Sequence, residues 1–367
     1  LSESAKQPMI SSDGRFAIVF NGEIYNFREL TREMESRGHQ FRTTSDTEVV
    51  LAAYMEYGHE MLQRFNGMFS LAIWDVKERS LFMARDRLGK KPLYYCRLGN
   101  RLSFASELYA ILSDPEIPRD LYNQALFEFF MYDFIPAPHT IFRDVMKLPA
   151  GHKAFFTQSG FRIERYWTPP EPEATSDYAK QTAELRETLT DATQMRLISD
   201  VPLGAFLSGG LDSTLITALM QQGGNRQVST FSISFPDTSH DESRWSRLAA
   251  SALHTQHTES AANYDIEEIF PKLAFHFGEP FGHSSALPTW LLCQKTREKV
   301  TVALSGDGGD ELFGGYERYL ARKLQSAYDS CPSVVRKHVI EPLINKAPET
   351  TSYYGTSFSK KLKLFIS

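Results

Sequence analysis

VPLGAFLSGGLDST, residues 201–214, is the stretch that decides the fold of this chain. An apolar run of strand length, VPLGAFL, passes straight into a glycine pair and then into a segment with helical apolar spacing, which reads as strand, tight turn and helix. The helix is expected to start at Ser213 or Thr214. The same order recurs downstream: VSTFSISF (228–235) precedes a helix expected from Asp241, and VTVALSG (300–306) precedes one expected from about Asp310. This alternation predicts an α/β doubly wound parallel sheet, whose ligands bind outside the carboxyl ends of the strands. Chemically active residues are therefore expected just after each strand.

SGGLDST (208–214) lies at the first such edge. Its adjacent glycines let the backbone turn tightly and present N–H groups, and the following helix aims the positive end of its dipole at the same point. An anion belongs there. Leu207, Ser208, Gly209, Gly210, Leu211, Asp212 and Ser213 are accordingly the candidate nucleotide-binding loop, with hydroxyls from Ser208, Ser213 and Thr214 as further donors. Asp212 would repel a phosphate unless a divalent cation such as Mg2+ lies between them. The lysine of a Walker loop is absent, which suits chemistry that releases pyrophosphate. A Gly-Gly turn with a serine cap and no ligand is the plain alternative.

A second loop, LSGDGGDELFGGY (304–316), again follows an apolar strand and combines glycines with carboxylates. Ser305 and Gly306 join the nucleotide candidates, Asp310 is a candidate to share the cation with Asp212, and Asp307 to handle a proton or orient an acyl group. Its plain alternative is a solvated acidic turn at a helix start. Ile233, on the strand at 228–235, is equally a core residue or an adenine contact. Between the loops, GEPFGHSSALPTW (278–290) is polar, broken by proline and capped by Ser284 or Ser285 before LPTWLL, which fits a substrate wall. His283 is expected to make an ordinary loop hydrogen bond, since no second His or Cys stands at ligand spacing.

Upstream the pattern changes. GRFAIVF (14–20), MFSLAIWD (68–75), RSLFMAR (79–85), PLYYCR (92–97) and NRLSFAS (100–106) read as short strands between turn residues. Two helices interrupt them, FRELTREMESRG closing on Gly38, and a second starting at Ser45 or Asp46 that carries VVLAAYMEYG with helical apolar spacing. Strands gathered apart from helices predict an α+β layered domain. TPPEPEATS (168–176) reads as a linker, so the expected division is 1–167, a linker at 168–176, and 177–367. The 367 residues exceed the size at which a single core usually stops growing, which also favours two domains.

Lys and Arg number 40 against 45 Asp and Glu, a net charge of -5 that offers no field for nucleic acid or an anionic membrane. Small-molecule partners are expected; the oligomeric state stays open, a homodimer included. Three dispersed cysteines, Cys96, Cys293 and Cys331, fit neither a disulfide framework nor a paired-thiolate zinc site and point to a reducing cytoplasm. No apolar run approaches the roughly 20 residues of a membrane span. A start at Leu1 rather than Met and an end on the apolar run of KKLKLFIS predict truncation at both ends.

Four motifs in this order, FNGEIYN (20–26), SDTEV (45–49), SGGLDST and LSGDGGDELFGGY, resemble the asparagine synthetase family of glutamine amidotransferases. The resemblance covers nearly the whole chain. It implies an α+β glutaminase-type sandwich of the N-terminal-nucleophile kind followed by a pyrophosphate-releasing ATP domain. It further implies that the Asn21 side-chain amide and the Gly22 N–H form an oxyanion hole, and that Glu23 and Asp46, with Asn21, hold the amino-acid head of glutamine. On their own residues, FNGEIYN would be a hairpin turn and SDTEV a helix cap. The family's nucleophile is a cysteine at the mature N-terminus, and its glutamine-carboxylate arginine is also early; both matches would precede Leu1. The polypeptide as written is therefore expected to lack glutaminase turnover. Lys360, Lys361 and Lys363 are expected to form a solvated basic face rather than to match the family's later lysine. The implied reaction is ATP-dependent amidation of aspartate through an acyl adenylate, with ammonia from glutamine. Amidation or cyclisation of another carboxylate, and a regulatory protein without a nucleophile, are the alternatives.

Overall fold

The computed structural model describes residues 5–171, 177–223, 227–236, 241–263, 265–348 and 363. The second half of the expected linker and the lysines Lys360 and Lys361 lie outside these.

The first domain runs β1 (Met9–Ile10), β2 (Phe16–Ile24), α1 (Phe27–Ser36), α2 (Asp46–Tyr57), β3 (Gly67–Asp75), β4 (Ser80–Arg85), β5 (Tyr94–Leu98), β6 (Arg101–Ala105), α3 (Leu108–Leu112), α4 (Asn123–Tyr132), β7 (Val145–Lys147), β8 (His152–Thr157) and β9 (Gly160–Arg165). Six strands form one antiparallel sheet in the order β1-β2-β3-β4-β8-β9, and three form a second in the order β6-β5-β7. Period-two alternation explains the layering. On β4, Phe82 and Ala84 face a core shared with α1 and α2, while Leu81 and Met83 face the small sheet through Leu93 and Tyr95. Both faces of the large sheet are thus covered, helices on one side and strands on the other. Fully buried Phe69 and Phe82 contribute roughly 2 kcal/mol each.

Helix α2 departs from the expected amphipathic pattern: residues 47–53 are all buried, so it is enclosed by its neighbours. Cys96 is buried on β5 among Leu108, Ile111 and Val145, and burial pushes its thiol up, as befits a core residue.

The second domain begins with α5 (Tyr178–Arg196) and continues β10 (Leu203–Phe206), α6 (Leu211–Gly223), β11 (Ser229–Ser234), α7 (Ser243–Ala252), β12 (Gln256–Ala261), α8 (Ile266–Phe277), α9 (Ala286–Arg297), β13 (Val302–Leu304), α10 (Gly309–Phe313) and α11 (Glu317–Asp329). Its sheet is wholly parallel, in the order β12-β11-β10-β13. The chain works outward from β10 through β11 to β12 and returns to the other flank of β10 at β13. Strand order therefore reverses between β10 and β13, the crevice where open sheets of this kind bind ligands.

Among the boundaries that differ from expectation, two shape the edge of this sheet. Helix α6 starts at Leu211 because the Thr214 N–H already donates to the Gly210 carbonyl at 3.1 Å. Helix α10 is a single short turn, stopped by Gly314 at φ +70°, before α11 begins.

Candidate active site

The first cluster forms where β2 ends. The strand does not stop at Phe20, as its apolar run suggested, but pairs on with β3 through Asn21↔Ser70, Gly22↔Phe69 and Glu23↔Met68. Asn21 and Gly22 thus lie inside a ladder rather than in a turn. Close approach is the reason glycine stands here: a Cβ on Gly22 would run into the Met68 carbonyl oxygen and come within 2.7 Å of the Phe69 Cα. Asn21 and Glu23 are exposed, while Ile24 is buried.

Ser45 caps α2, its Oγ accepting from the Thr47 N–H at 3.2 Å. Asp46, the first helical residue, accepts from the Ile24 N–H through Oδ2 at 3.0 Å and so ties the end of β2 to the start of the helix. That brings the charge of Asp46 to bear on Glu23. Burial holds the Asp46 carboxyl above its ordinary value, against hydrogen bonds from Ile24 and Thr47. The Glu23 carboxyl is also pushed up, by the atoms crowding it and then by the charges of Asp46 and Asp200, with Lys91 opposing.

Lys91 belongs to a loop with no place in the sequence-based site. Asp86, buried, accepts from the Leu88 and Lys90 N–H groups through Oδ1 and from the Phe69 and Lys91 N–H groups through Oδ2. Arg85 donates to the carbonyls of Lys91, Leu148 and Gly89. Together they pin the loop against β3 and bring the charge of Lys91 to bear on Glu23. The only trace in the sequence is the charged RDRLGKK between two strands, which names no role.

The second cluster lies at the β10–β13 crevice. Leu207 is buried and its N–H donates to the Phe231 carbonyl at 2.9 Å, which fastens the end of β10 to β11. The loop then turns outward. Gly209 has φ +84°, and a Cβ there would sit 2.5 Å from the Ser246 nitrogen, so the turn lies directly on α7. Ser208 Oγ stands 2.9 Å from Ser213 Oγ and accepts from the Gly210 N–H at 3.2 Å. Thr214 Oγ1 is buried without a hydrogen-bond partner among the described residues.

The loop after β13 closes on this one. A Cβ on Gly306 would meet the Ser213 nitrogen at 2.6 Å and the Asp212 Cβ at 2.9 Å, and one on Gly309 would meet the Asp212 carboxylate carbon at 2.5 Å. Glycine is what lets the two loops touch. The Ser305 hydroxyl donates to Asp307 Oδ2 at 2.9 Å. Asp310 follows Gly309, but its carboxylate turns back against Gly315 of its own loop. Ile233 is half-buried near the carboxyl end of β11. His283 Nδ1 pairs with Ser285 Oγ at 2.6 Å, an ordinary loop hydrogen bond.

Two family models match the chain: a glutamine amidotransferase domain over residues 1–167 and asparagine synthase over residues 184–365. The chain is 33% identical to asparagine synthetase (glutamine-hydrolysing) 1 of Bacillus subtilis, across 92% of its own length and 54% of that protein. It is 31% identical to the same organism's enzyme 3, across 99% and 60%. A Methanocaldococcus jannaschii protein provisionally named asparagine synthetase (glutamine-hydrolysing) 2 is 39% identical, across 83% and 59%. The chain belongs to the glutamine-hydrolysing asparagine synthetase family. It spans a little over half the length of these relatives. Asn21, Gly22, Glu23 and Asp46 fall within the amidotransferase match, and both glycine loops of the parallel sheet fall within the asparagine synthase match. Among the described residues, no helix is long and apolar enough to cross a membrane.

Proposed function

We propose that the protein converts aspartate to asparagine with ATP and with ammonia released from glutamine. The observation that carries this is the contact of the two glycine loops, Gly306 and Gly309 against Asp212 and Ser213, at the point where the parallel sheet reverses its order. In this reading an aspartate side-chain oxygen attacks the α-phosphorus of ATP. A new P–O bond forms as the bond to the bridging oxygen breaks, and pyrophosphate leaves along the N–H groups and hydroxyls of Ser208–Ser213. Ammonia then attacks the acyl carbon of the adenylate, and AMP departs. Asp307, held by Ser305, is suited to accept the proton that the nitrogen sheds.

Mg2+ fits the donor set. Among the described residues no three His, Cys, Asp or Glu side chains gather as a metal cage, but magnesium is usually held by one or two carboxylates together with substrate phosphates. Asp212 would take it, with Asp310 turning from Gly315 to join. The ion supplies neutralisation of the charge that builds on the leaving pyrophosphate. In the first domain, Asn21 and Gly22 would meet the developing oxyanion of the glutamine amide, and Glu23 and Asp46 its ammonium group.

Asp212→Ala in the full-length protein is expected to abolish exchange of labelled pyrophosphate into ATP in the presence of aspartate. Exchange at the wild-type rate would remove Asp212 from the site. Release of AMP with aspartate, compared with other carboxylic acids, tests the acceptor.

A further inference from the structure

Arg196, the last residue of α5, lays its guanidinium over the Tyr25 ring at 4.1 Å from the centroid. Tyr25 stands two residues beyond Glu23 on the segment leaving β2, and its backbone is fixed by donation to the Asn66 carbonyl at 2.8 Å. Asn66 also reaches the second domain, with Nδ2 3.8 Å from the Met195 sulfur. Arg196 Nη1 donates to the Ala192 carbonyl at 2.6 Å, so the guanidinium is held along its own helix while it covers the ring.

The path of the chain gives the stack its meaning. After Arg196 it passes Asp200, whose charge bears on Glu23, then enters β10 and becomes the nucleotide loop at Leu207 and Ser208. One short stretch therefore contacts Tyr25, two residues from Glu23, at its start and forms the phosphate-side cluster at its end. Tyr25 and Arg196 belong to none of the buried apolar clusters, so the contact is not needed to build a core.

We infer that the Arg196–Tyr25 stack is a positioning contact that couples the two sites, so that occupancy of the nucleotide loop sets the geometry of the Glu23 end of β2. The inference rests on the proposed function. A shift of the nucleotide loop moves β10 and the residues before it, and the stack passes that shift to the strand carrying Asn21, Gly22 and Glu23. By linkage, binding effects must run equally in the other direction. Neither side chain touches substrate in this scheme.

The test uses the full-length protein with Arg196→Met, Tyr25→Leu and the conservative Tyr25→Phe, which keeps the ring. Asparagine formed per glutamine hydrolysed is expected to fall about fivefold or more in Arg196→Met and Tyr25→Leu, while Tyr25→Phe and ammonia-supported synthesis by all three stay within about twofold of wild type. An unchanged ratio in Arg196→Met overturns the inference, and so does an equal loss of ammonia-supported synthesis, which would mark general damage. Failure of the wild-type protein to make asparagine from any nitrogen source would instead overturn the proposed function beneath it.

Discussion

Asp46 serves structure and charge through one carboxylate, and the two can be separated. Asp46→Asn keeps an oxygen for the Ile24 N–H but removes the charge. If the charge faces the ammonium of glutamine, the KM for glutamine should rise about tenfold or more while the fold survives. Stability gives an independent check. A carboxyl whose folded pKa lies above its unfolded value binds more protons in the native state, so its contribution is present at low pH and is lost as pH rises through the folded pKa. Wild-type stability should therefore fall more steeply than that of Asp46→Asn just above the ordinary value of 3.8, as measured by urea unfolding at several pH values. Parallel curves would remove the charge from the argument. The Ser45 cap was legible in SDTEV, because capping is local. The bond from Asp46 to Ile24 was not, because it joins residues far apart in sequence. The resemblance gives Gly22 a role through its N–H; the close approach that requires glycine there is to atoms of β3, which no local pattern could supply. Gly22→Ala is expected to destabilise the chain by about 2 kcal/mol or more in a denaturant titration, since the obstruction is backbone and cannot rotate away.

Among the elements, the loop between β4 and β5 shows most clearly how residues outside the candidate site hold backbone beside it. One buried carboxylate collects the N–H groups of Phe69, Leu88, Lys90 and Lys91. Asp86→Ala would leave these donors without their acceptor, and the expected loss is about 3 kcal/mol or more in urea unfolding. A loss under about 1 kcal/mol would mean that the loop finds other partners and that Asp86 does not fix it. The sequence pattern reached the strands and helices with strong apolar periods: β3, β4, β5, β10 and β11 all lie within or beside the runs that suggested them. It missed β12, whose QHTESA is polar because this edge strand buries little. It ended β2 early because Asn21, Gly22 and Glu23 interrupt the apolar run while the backbone ladder continues. Hydrogen bonding, not hydropathy, carries that strand to Ile24.

At the scale of the whole molecule, the seam between the domains combines polar and aromatic contacts. Glu279, just beyond α8, is taken by the first domain on both oxygens, one paired with Lys147 Nζ and the other accepting from the Ile141 N–H. Nearby, the Gly282 N–H donates to the Asp133 carbonyl at 2.8 Å and Tyr109 stacks on Phe275 at 5.3 Å. Glu279 is the sole acid of GEPFGHSSALPTW, and it faces the first domain, a contact between distant residues that only the folded chain brings together. The Lys147 and Glu279 side chains are only 13% and 11% exposed, so removing one leaves the other as a nearly buried, unpaired charge. Lys147→Met should therefore destabilise the chain by about 3 kcal/mol at neutral pH. Burial already pushes the Glu279 carboxyl up against the pull of Lys147. Without the lysine its folded pKa must rise further, and a raised carboxyl favours the native state at low pH and disfavours it as pH climbs. The deficit of Lys147→Met relative to wild type should thus be small near the ordinary glutamate value of 4.5 and widen above it. Adding Glu279→Gln to Lys147→Met removes the stranded charge and should restore most of the loss at neutral pH. A deficit of constant size across pH, or a double variant no better than the single, would show that this charge pair does not hold the two domains together.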